Sequence, residues 1–338
     1  MHDLAIGVDL GGTNLRIAAV DEEGNQLENL RTAALVDRGP DQILKEVSSA
    51  VHGMAARFRA THRLRGAGLG VPGILDREGG AIESAGNLPG WSHYPLRQQM
   101  ERRLNVPVVL ENDANCAALG EKWLGAGQSV EDLCMITLGT GVGGGFVVNG
   151  RPWHGVTGMA GEIGHMTVVP DGLPCSCGSR GCLEQYASAS AIRRMALAAV
   201  AQGESAALAA VAHSSPQFSA RAVFECARRG DAASLYIFAS AGKALGIALA
   251  NLINALNLPL YVIGGAVVNA WEMFQSAMLE ELSSRSIVFR AGEPLQGQHR
   301  GTIITPTLLG GNAGVLGAAR LPMLLARSAN DCPVAGRS

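Results

Sequence analysis

Residues 4–20 read LAIGVDLGGTNLRIAAV. Two short apolar runs of β character flank Gly11-Gly12-Thr13, so the stretch reads as a β-hairpin with Asp9 at the end of its first strand. The backbone N–H groups of Gly11, Gly12 and Asn14, with the Thr13 hydroxyl, are suited to cradling phosphate, and Asp9 to holding a magnesium ion through water. Taken alone, the same residues make an ordinary glycine-rich hairpin turn. Residues 133–148, LCMITLGTGVGGGFVV, repeat the design: strand, Gly139-Thr140-Gly141 turn, then a strand that contains Gly143. Gly139, Gly141 and Gly144 satisfy G-x-G-x-x-G, but the dinucleotide fingerprint needs a helix after the glycines, and here FVVNG continues as strand. No G-x-x-x-x-G-K-[ST] stretch occurs, which excludes a P-loop. The two hairpins predict an α/β chain of two halves built alike, each offering a phosphate-binding turn to a shared cleft.

The densest cluster of chemistry lies at 161–184, GEIGHMTVVPDGLPCSCGSRGCLE. Cys175, Cys177 and Cys182 form C-x-C-x4-C, and His165 upstream completes a Cys3His set, the closed four-ligand arrangement of structural zinc. Thiolates favour zinc over magnesium or calcium, and four protein ligands leave no position for an activated water, so the metal is expected to organise and not to catalyse. The alternative is a redox-active or merely buried set of thiols. Glu162 precedes His165 by three residues and Glu184 follows Cys182 by two. Two carboxylates tethered beside an imidazole suit a polyhydroxylated ligand, whose hydroxyls donate charge-assisted hydrogen bonds.

Between the hairpins, helical spacing runs from Asp41 to Arg59, and GAGLGVPGIL reads as a buried strand ending at a Pro-Gly turn. Asn87 lies in the polar loop SAGNLPGW, as a ligand contact or a simple turn residue. In VPVVLENDANCAALGEKWLG a β-branched strand gives way to a helix near Ala114, leaving Asn112 and Asp113 at the strand's carboxyl end, where open α/β sheets gather ligands. Asp113 reads equally well as a helix cap. Downstream come helices over 187–202 and 232–257, a strand LYVIGG ending in Gly264-Gly265, and a final strand, glycine turn and apolar helix over 302–325.

With these motifs the sequence resembles the ROK family of sugar kinases and repressors, whose zinc motif is similar to GHM followed by CSCGSRGCLE; the resemblance covers nearly the whole length, and its nearest branch is the bacterial ATP-dependent glucokinases. It implies a two-domain actin/hexokinase-like (ribonuclease H-like) α/β fold with an interdomain cleft and a structural zinc loop. The implied domains are 1–116, joined by the C-terminal helix near 312–326, and 117–311 with the zinc loop. The implied reaction is phosphorylation of a hexose, most simply glucose, at the 6-hydroxyl. Asp113 would act as general base; Asn87, Asn112, Asp113, Glu162, His165 and Glu184 would hold the sugar. Gly264 and Gly265 would lie under adenosine, although they also read as a tight strand-to-helix turn. ATP, Mg2+ and a structural Zn2+ are the implied cofactors, and a homodimer or homotetramer the implied assembly. The chain departs from the family pattern at Ala266, where a glycine is usual, and at Gly311-Asn312, where an acidic residue is common. Rival readings are a kinase for an N-acyl hexosamine such as N-acetylmannosamine and a sugar-responsive regulator. Asp9 already belongs to the kinase fold, which leaves no room ahead of it for a helix-turn-helix.

Composition agrees. The 338 residues are 47% hydrophobic, enough for two cores, and a net charge of −2 without a Lys/Arg run argues against nucleic acid or an anionic membrane as partner. Seven cysteines, three of them placed at the metal, suggest no disulfide framework. MHDLAIGVDLGG carries no basic leader, and no apolar run looks long enough to span a bilayer, so a cytoplasmic location is expected.

Overall fold

The computed structural model describes residues 1–34, 36–85, 88–214, 218–292 and 301–330. The first half contains β1 (His2–Leu10), β2 (Asn14–Asp21), β3 (Gln26–Ala33), α1 (Pro40–Phe58), β4 (His62–Val71), β5 (Ile74–Asp76), β6 (Ala81–Ser84), α2 (Leu96–Leu104), β7 (Val108–Asn112) and α3 (Asp113–Leu124). There follow β8 (Leu133–Leu138), β9 (Val142–Val148), β10 (Arg151–Trp153), α4 (Glu184–Ala187), α5 (Ala189–Ala201), α6 (Ala206–Ser214), α7 (Ala220–Arg228), α8 (Ala232–Leu256), β11 (Leu260–Gly264), α9 (Trp271–Arg285), α10 (Ile287–Ala291), β12 (Ile303–Pro306) and α11 (Ala313–Asn330).

Two five-stranded sheets have the orders β3-β2-β1-β4-β7 and β10-β9-β8-β11-β12. In each, the third, second and first strands of the set lie side by side, followed by the fourth and fifth, so the repeated hairpin is the start of a repeated topology. In the first sheet β1, β2 and β3 are antiparallel, while β4 and β7 add in parallel. Contacts divide the chain into two units, Met1–Glu131 with Gly145–Ala160 and Leu308–Ser338, and Asp132–Gly144 with Gly161–Thr307. The expected boundary after residue 116 falls inside α3, a continuous helix that lies whole in the first unit.

Residue size along the strands explains the packing of the first unit. In β1, Leu4, Ile6, Val8 and Leu10 fill a core with Leu44, Val47 and Met54 of α1, and β4 adds Ala67, Leu69 and Val71 to it. The alternate positions are small, because α11 lies directly on the backbone there: a Cβ on Gly68 would meet Ala318 O at 1.8 Å. Helices α3 and α11 are equally close, a Cβ on Gly317 meeting Cys116 O at 1.7 Å. This approach brings the first turn of α11 to Asp9, whose Oδ2 lies 2.9 Å from the Cβ position of Gly314.

The second unit is organised on α8, capped by Asp231, whose carboxylate accepts Ser234 N–H at 2.9 Å and Ser234 Oγ–H at 2.6 Å. By length and composition α8 is apolar enough to cross a membrane. Its small and aliphatic residues are used otherwise: more than half of the helix is buried within the structure, including Phe238, Leu245, Leu249 and Ile253.

Candidate active site and metal centre

Strand β7 runs into α3 without a loop. Asn112 takes an extended conformation, and its Oδ1 accepts the N–H groups of Ala114 (2.9 Å) and Asn115 (3.4 Å), so Asn112 is the helix cap. Its Nδ2 donates to Gly73 O at 3.3 Å, which ties the corner to the turn after β4. The cap expected of Asp113 is therefore made by its neighbour. Asp113 occupies the first helical position, where an anionic carboxylate suits the helix dipole, and accepts Ala114 N–H at 2.9 Å.

Behind this corner sits Glu111, which sequence reading passed over. It is 1% exposed. Its Oε1 accepts Asn112 N–H and the Asn115 side-chain amide, both at 3.0 Å. Its Oε2 lies 2.7 Å from His154 Nε2 and 3.5 Å from the Arg77 guanidinium. Burial alone would raise this carboxyl, but His154, Arg77 and Asn115 together hold it below the usual glutamate range. A charged residue closing the apolar run VVLEN is the signal that could have marked it.

In the first hairpin Gly11 N–H bonds to Asn14 O at 2.9 Å, closing the turn of Gly12 and Thr13, and Thr13 O accepts Ala34 N–H at 2.9 Å. The register places Asp9 opposite Arg16, and Arg16 Nη1 meets Asp9 Oδ2 at 3.2 Å. Counting outward from the turn would have found this partner. Burial pushes the Asp9 carboxyl up, and Arg16 offsets part of that rise. Gly311 lies against the same guanidinium, its Cβ position 3.1 Å from Arg16 Nη2.

The second turn is braced differently. Gly139 N–H bonds to Gly141 O at 2.9 Å, Gly139 O accepts Ala189 N–H at 2.8 Å, and Thr140 O accepts the Ser190 hydroxyl at 2.7 Å. Gly143 follows in β9, whose first residue, Val142, donates N–H to Glu184 Oε2 at 3.0 Å. A Cβ on Gly141 would stand 2.2 Å from that same oxygen. Glu184 thus binds the glycine turn to the segment carrying Cys182.

The segment itself brings its four candidate ligands together. The ligand atoms of His165, Cys175, Cys177 and Cys182 all lie within 4.8 Å of one another, with Cys177 Sγ–Cys182 Sγ at 3.7 Å and Cys175 Sγ–His165 Nδ1 at 3.6 Å. Tetrahedral zinc with ordinary bond lengths requires S···S edges of about 3.8 Å and S···N edges of about 3.6 Å, so the donor set fits. Burial raises the Cys175 thiol, but hydrogen bonds from Cys177, with further ones from His165 and Cys182, outweigh it and bring it down to about 6. His165 presents Nδ1 to the thiols, and its Nε2 lies 3.8 Å from Glu162 Oε2, beyond hydrogen-bond distance. Two close backbone approaches hold this geometry: Gly164 against Val142 O and Gly181 against Val169 O.

Gly265 has φ +84°, and a Cβ there would stand 2.3 Å from Leu138 O, so the strand-to-helix turn requires it whatever binds beside it; a Cβ on Gly264 would meet only the terminal methyl of the Met135 side chain, at 2.4 Å, and then Thr307. Asn87 lies outside the described residues. Within one unit the fold thus assembles Asp9, Arg16 and the first turn and, across Gly70 of β4 from Asp9, Glu111, Asn112 and Asp113. Within the other it joins Glu162, His165, the three cysteines, Glu184 and the second turn.

The chain belongs to the ROK family, whose family model matches residues 5–323. Its fold is that of the ROK sugar kinases. Among its relatives, the glucokinase of Halalkalibacterium halodurans is 37% identical over 318 residues, 94% of each chain. The glucokinase of Thermotoga maritima is 36% identical over 277 residues, 82% of this chain and 86% of its own. A ROK family glucokinase from Streptomyces griseus, solved in complex with glucose and AMPPNP, superposes with a TM-score of 0.78 at 36% identity, covering 94% of this chain and 98% of the other.

Proposed function

We propose that this protein is an ATP-dependent hexose kinase that transfers the γ-phosphoryl group of ATP to the 6-hydroxyl of glucose. The observation that carries the reading is the β7–α3 corner: Asn112 takes over the helix cap, so Asp113 stands at the first turn as a carboxylate that the cap does not require. Asp113 takes the proton of the attacking hydroxyl as its oxygen bonds to phosphorus and ADP leaves. Asn112, Glu162, His165 and Glu184, together with Asn87, hold the sugar hydroxyls, and the turns at Gly11–Asn14 and Gly139–Gly141 receive phosphate through backbone N–H groups other than those of Gly11 and Gly139, which Asn14 O and Gly141 O already take. Such catalysis consists mainly of positioning and electrostatics.

Zinc in the His165-Cys175-Cys177-Cys182 set would act as a structural ion holding Glu162 and Glu184 in one segment. Magnesium would neutralise charge on the transferring phosphates. Asp9 is a single carboxylate already paired with Arg16, so it suits an outer-sphere contact through water and not direct ligation. The unpaired thiols of the described cysteines suit the cytoplasm.

The test is sugar-dependent ADP formation by the purified protein, compared on glucose, mannose and N-acetylmannosamine. Fastest turnover per KM on glucose is expected. Tight sugar binding without ADP formation would overturn the kinase reading in favour of a regulator, and preference for N-acetylmannosamine would replace the substrate.

A further inference from the structure

Glu111 is bound by groups from three segments: its own β7–α3 corner, through the Asn112 N–H and the Asn115 side-chain amide, Arg77 in the β5–β6 turn and His154 just after β10. Its two oxygens divide the work. Oε1 holds the Asn112–Asn115 turn, and so sets the peptide from which Asp113 projects. Oε2 is anchored by His154 at 2.7 Å, with Arg77 a more distant partner at 3.5 Å. His154 also begins a tight loop, its carbonyl accepting Ala160 N–H at 3.1 Å, and that loop leads in sequence to Glu162.

This network is not what packing alone would select. A carboxylate with a 2% exposed side chain is desolvated, and Arg77 Nε and Asn115 Oδ1 are both buried beside it without a protein hydrogen-bond partner. A buried ion pair can hold one geometry among several. We infer that Glu111 and His154 form a positioning pair for the Asn112–Asp113 corner: His154 orients Glu111, and Glu111 orients the backbone that carries Asp113. The inference rests on the role proposed above for Asp113, and neither residue of the pair need touch substrate.

The experiment is a double-mutant cycle of His154→Ala with Asp113→Asn, read in kcat, ATP KM and calorimetric glucose affinity. His154 is chosen because it lies in a loop and is partly accessible, whereas Glu111→Gln places an amide donor against existing donors deep in the fold. In the parent protein His154→Ala is expected to lower kcat about ten- to hundred-fold, the range for small misplacement of a catalytic group, with ATP KM unchanged. In the Asp113→Asn background it should change kcat less than about twofold, since no base remains to be placed. His154→Gln, which keeps a side-chain N–H donor, should recover most of the loss. Equal kcat losses in both backgrounds, or no loss in the parent at unchanged melting temperature, overturn the inference. Should Asp113→Asn alone keep near-normal kcat, it is the base assignment that fails. The pair is then judged by glucose affinity: weakening by His154→Ala that His154→Gln restores supports it, and unchanged affinity overturns it.

Discussion

The β7–α3 corner and the zinc loop both supply residues proposed to bind sugar, and they are braced in opposite ways. At the corner, Asn112 and Asp113 are held by a buried carboxylate that joins its own neighbours Asn112 and Asn115 to Arg77 and His154 from far along the chain. In the proposed zinc loop, Glu162, His165 and Glu184 lie in one short segment whose Cys3His set has a spacing that suits a single ion. A short segment with few apolar residues cannot build a core, and an ion in the proposed metal site would substitute for one. A strand end that already lies in a sheet needs only its last peptide oriented, and one buried ion pair suffices. The two regions should therefore fail differently when disturbed.

The largest difference is expected from Asp113→Asn. Because Asn112 is the cap, the amide leaves the helix start intact, and the loss should be chemical: kcat lower by about 10²–10⁴-fold, the usual worth of general acid–base assistance, with glucose binding by calorimetry changed far less. Near-normal kcat would remove the corner's claim to the chemistry.

Cys177→Ser attacks the other brace. One zinc per chain in the parent, and none in the variant, is expected by elemental analysis, with glucose affinity weakened about 10–100-fold as Glu162, His165 and Glu184 lose their common support. Unchanged affinity in a zinc-free variant would separate the metal from the sugar contacts.

Gly141→Ala probes the join between a phosphate turn and the zinc loop. A Cβ at 2.2 Å must displace Glu184 Oε2 and the bond it accepts from Val142, so both ATP KM and glucose KM should rise, by about two- to tenfold, the worth of one hydrogen bond. A change in ATP KM alone would mean that the turn acts apart from Glu184.

The smallest effect is one of pH. The folded-state pKa of Glu111 is depressed from its ordinary 4.5, so its stabilisation is fully present above that value and is lost as pH falls through the depressed one. Melting temperature should fall more steeply below about pH 4.5 in the parent than in Glu111→Gln, which has no such proton to bind. Parallel curves would mean that Glu111 contributes nothing to acid sensitivity.

Much of this architecture is legible in the sequence for local reasons. Strand alternation is visible in LAIGVDL and GAGLGV, where large residues fill one face and glycine or alanine permits α11 and α3 on the other. Ligand spacing is visible because all four metal donors lie within one stretch, and the two glycine turns are visible because each closes on itself. Length and apolarity alone do not say where α8 lies, since a helix buried in a protein core and one buried in lipid meet the same solvation demand.

What the sequence by itself determined is therefore the set of local elements: two similar hairpins, an Asn-Asp strand end and a Cys3His loop. The tertiary structure alone decided which residue caps α3, that Glu111 is the buried centre of a three-segment network, and that Glu184 joins the second turn to the segment of the candidate metal ligands. The physical reason is range. Periodicity and chelate spacing depend on neighbours a few residues apart, whereas a buried charge is stabilised by donors such as Arg77 and His154, which only the folded chain brings to Glu111.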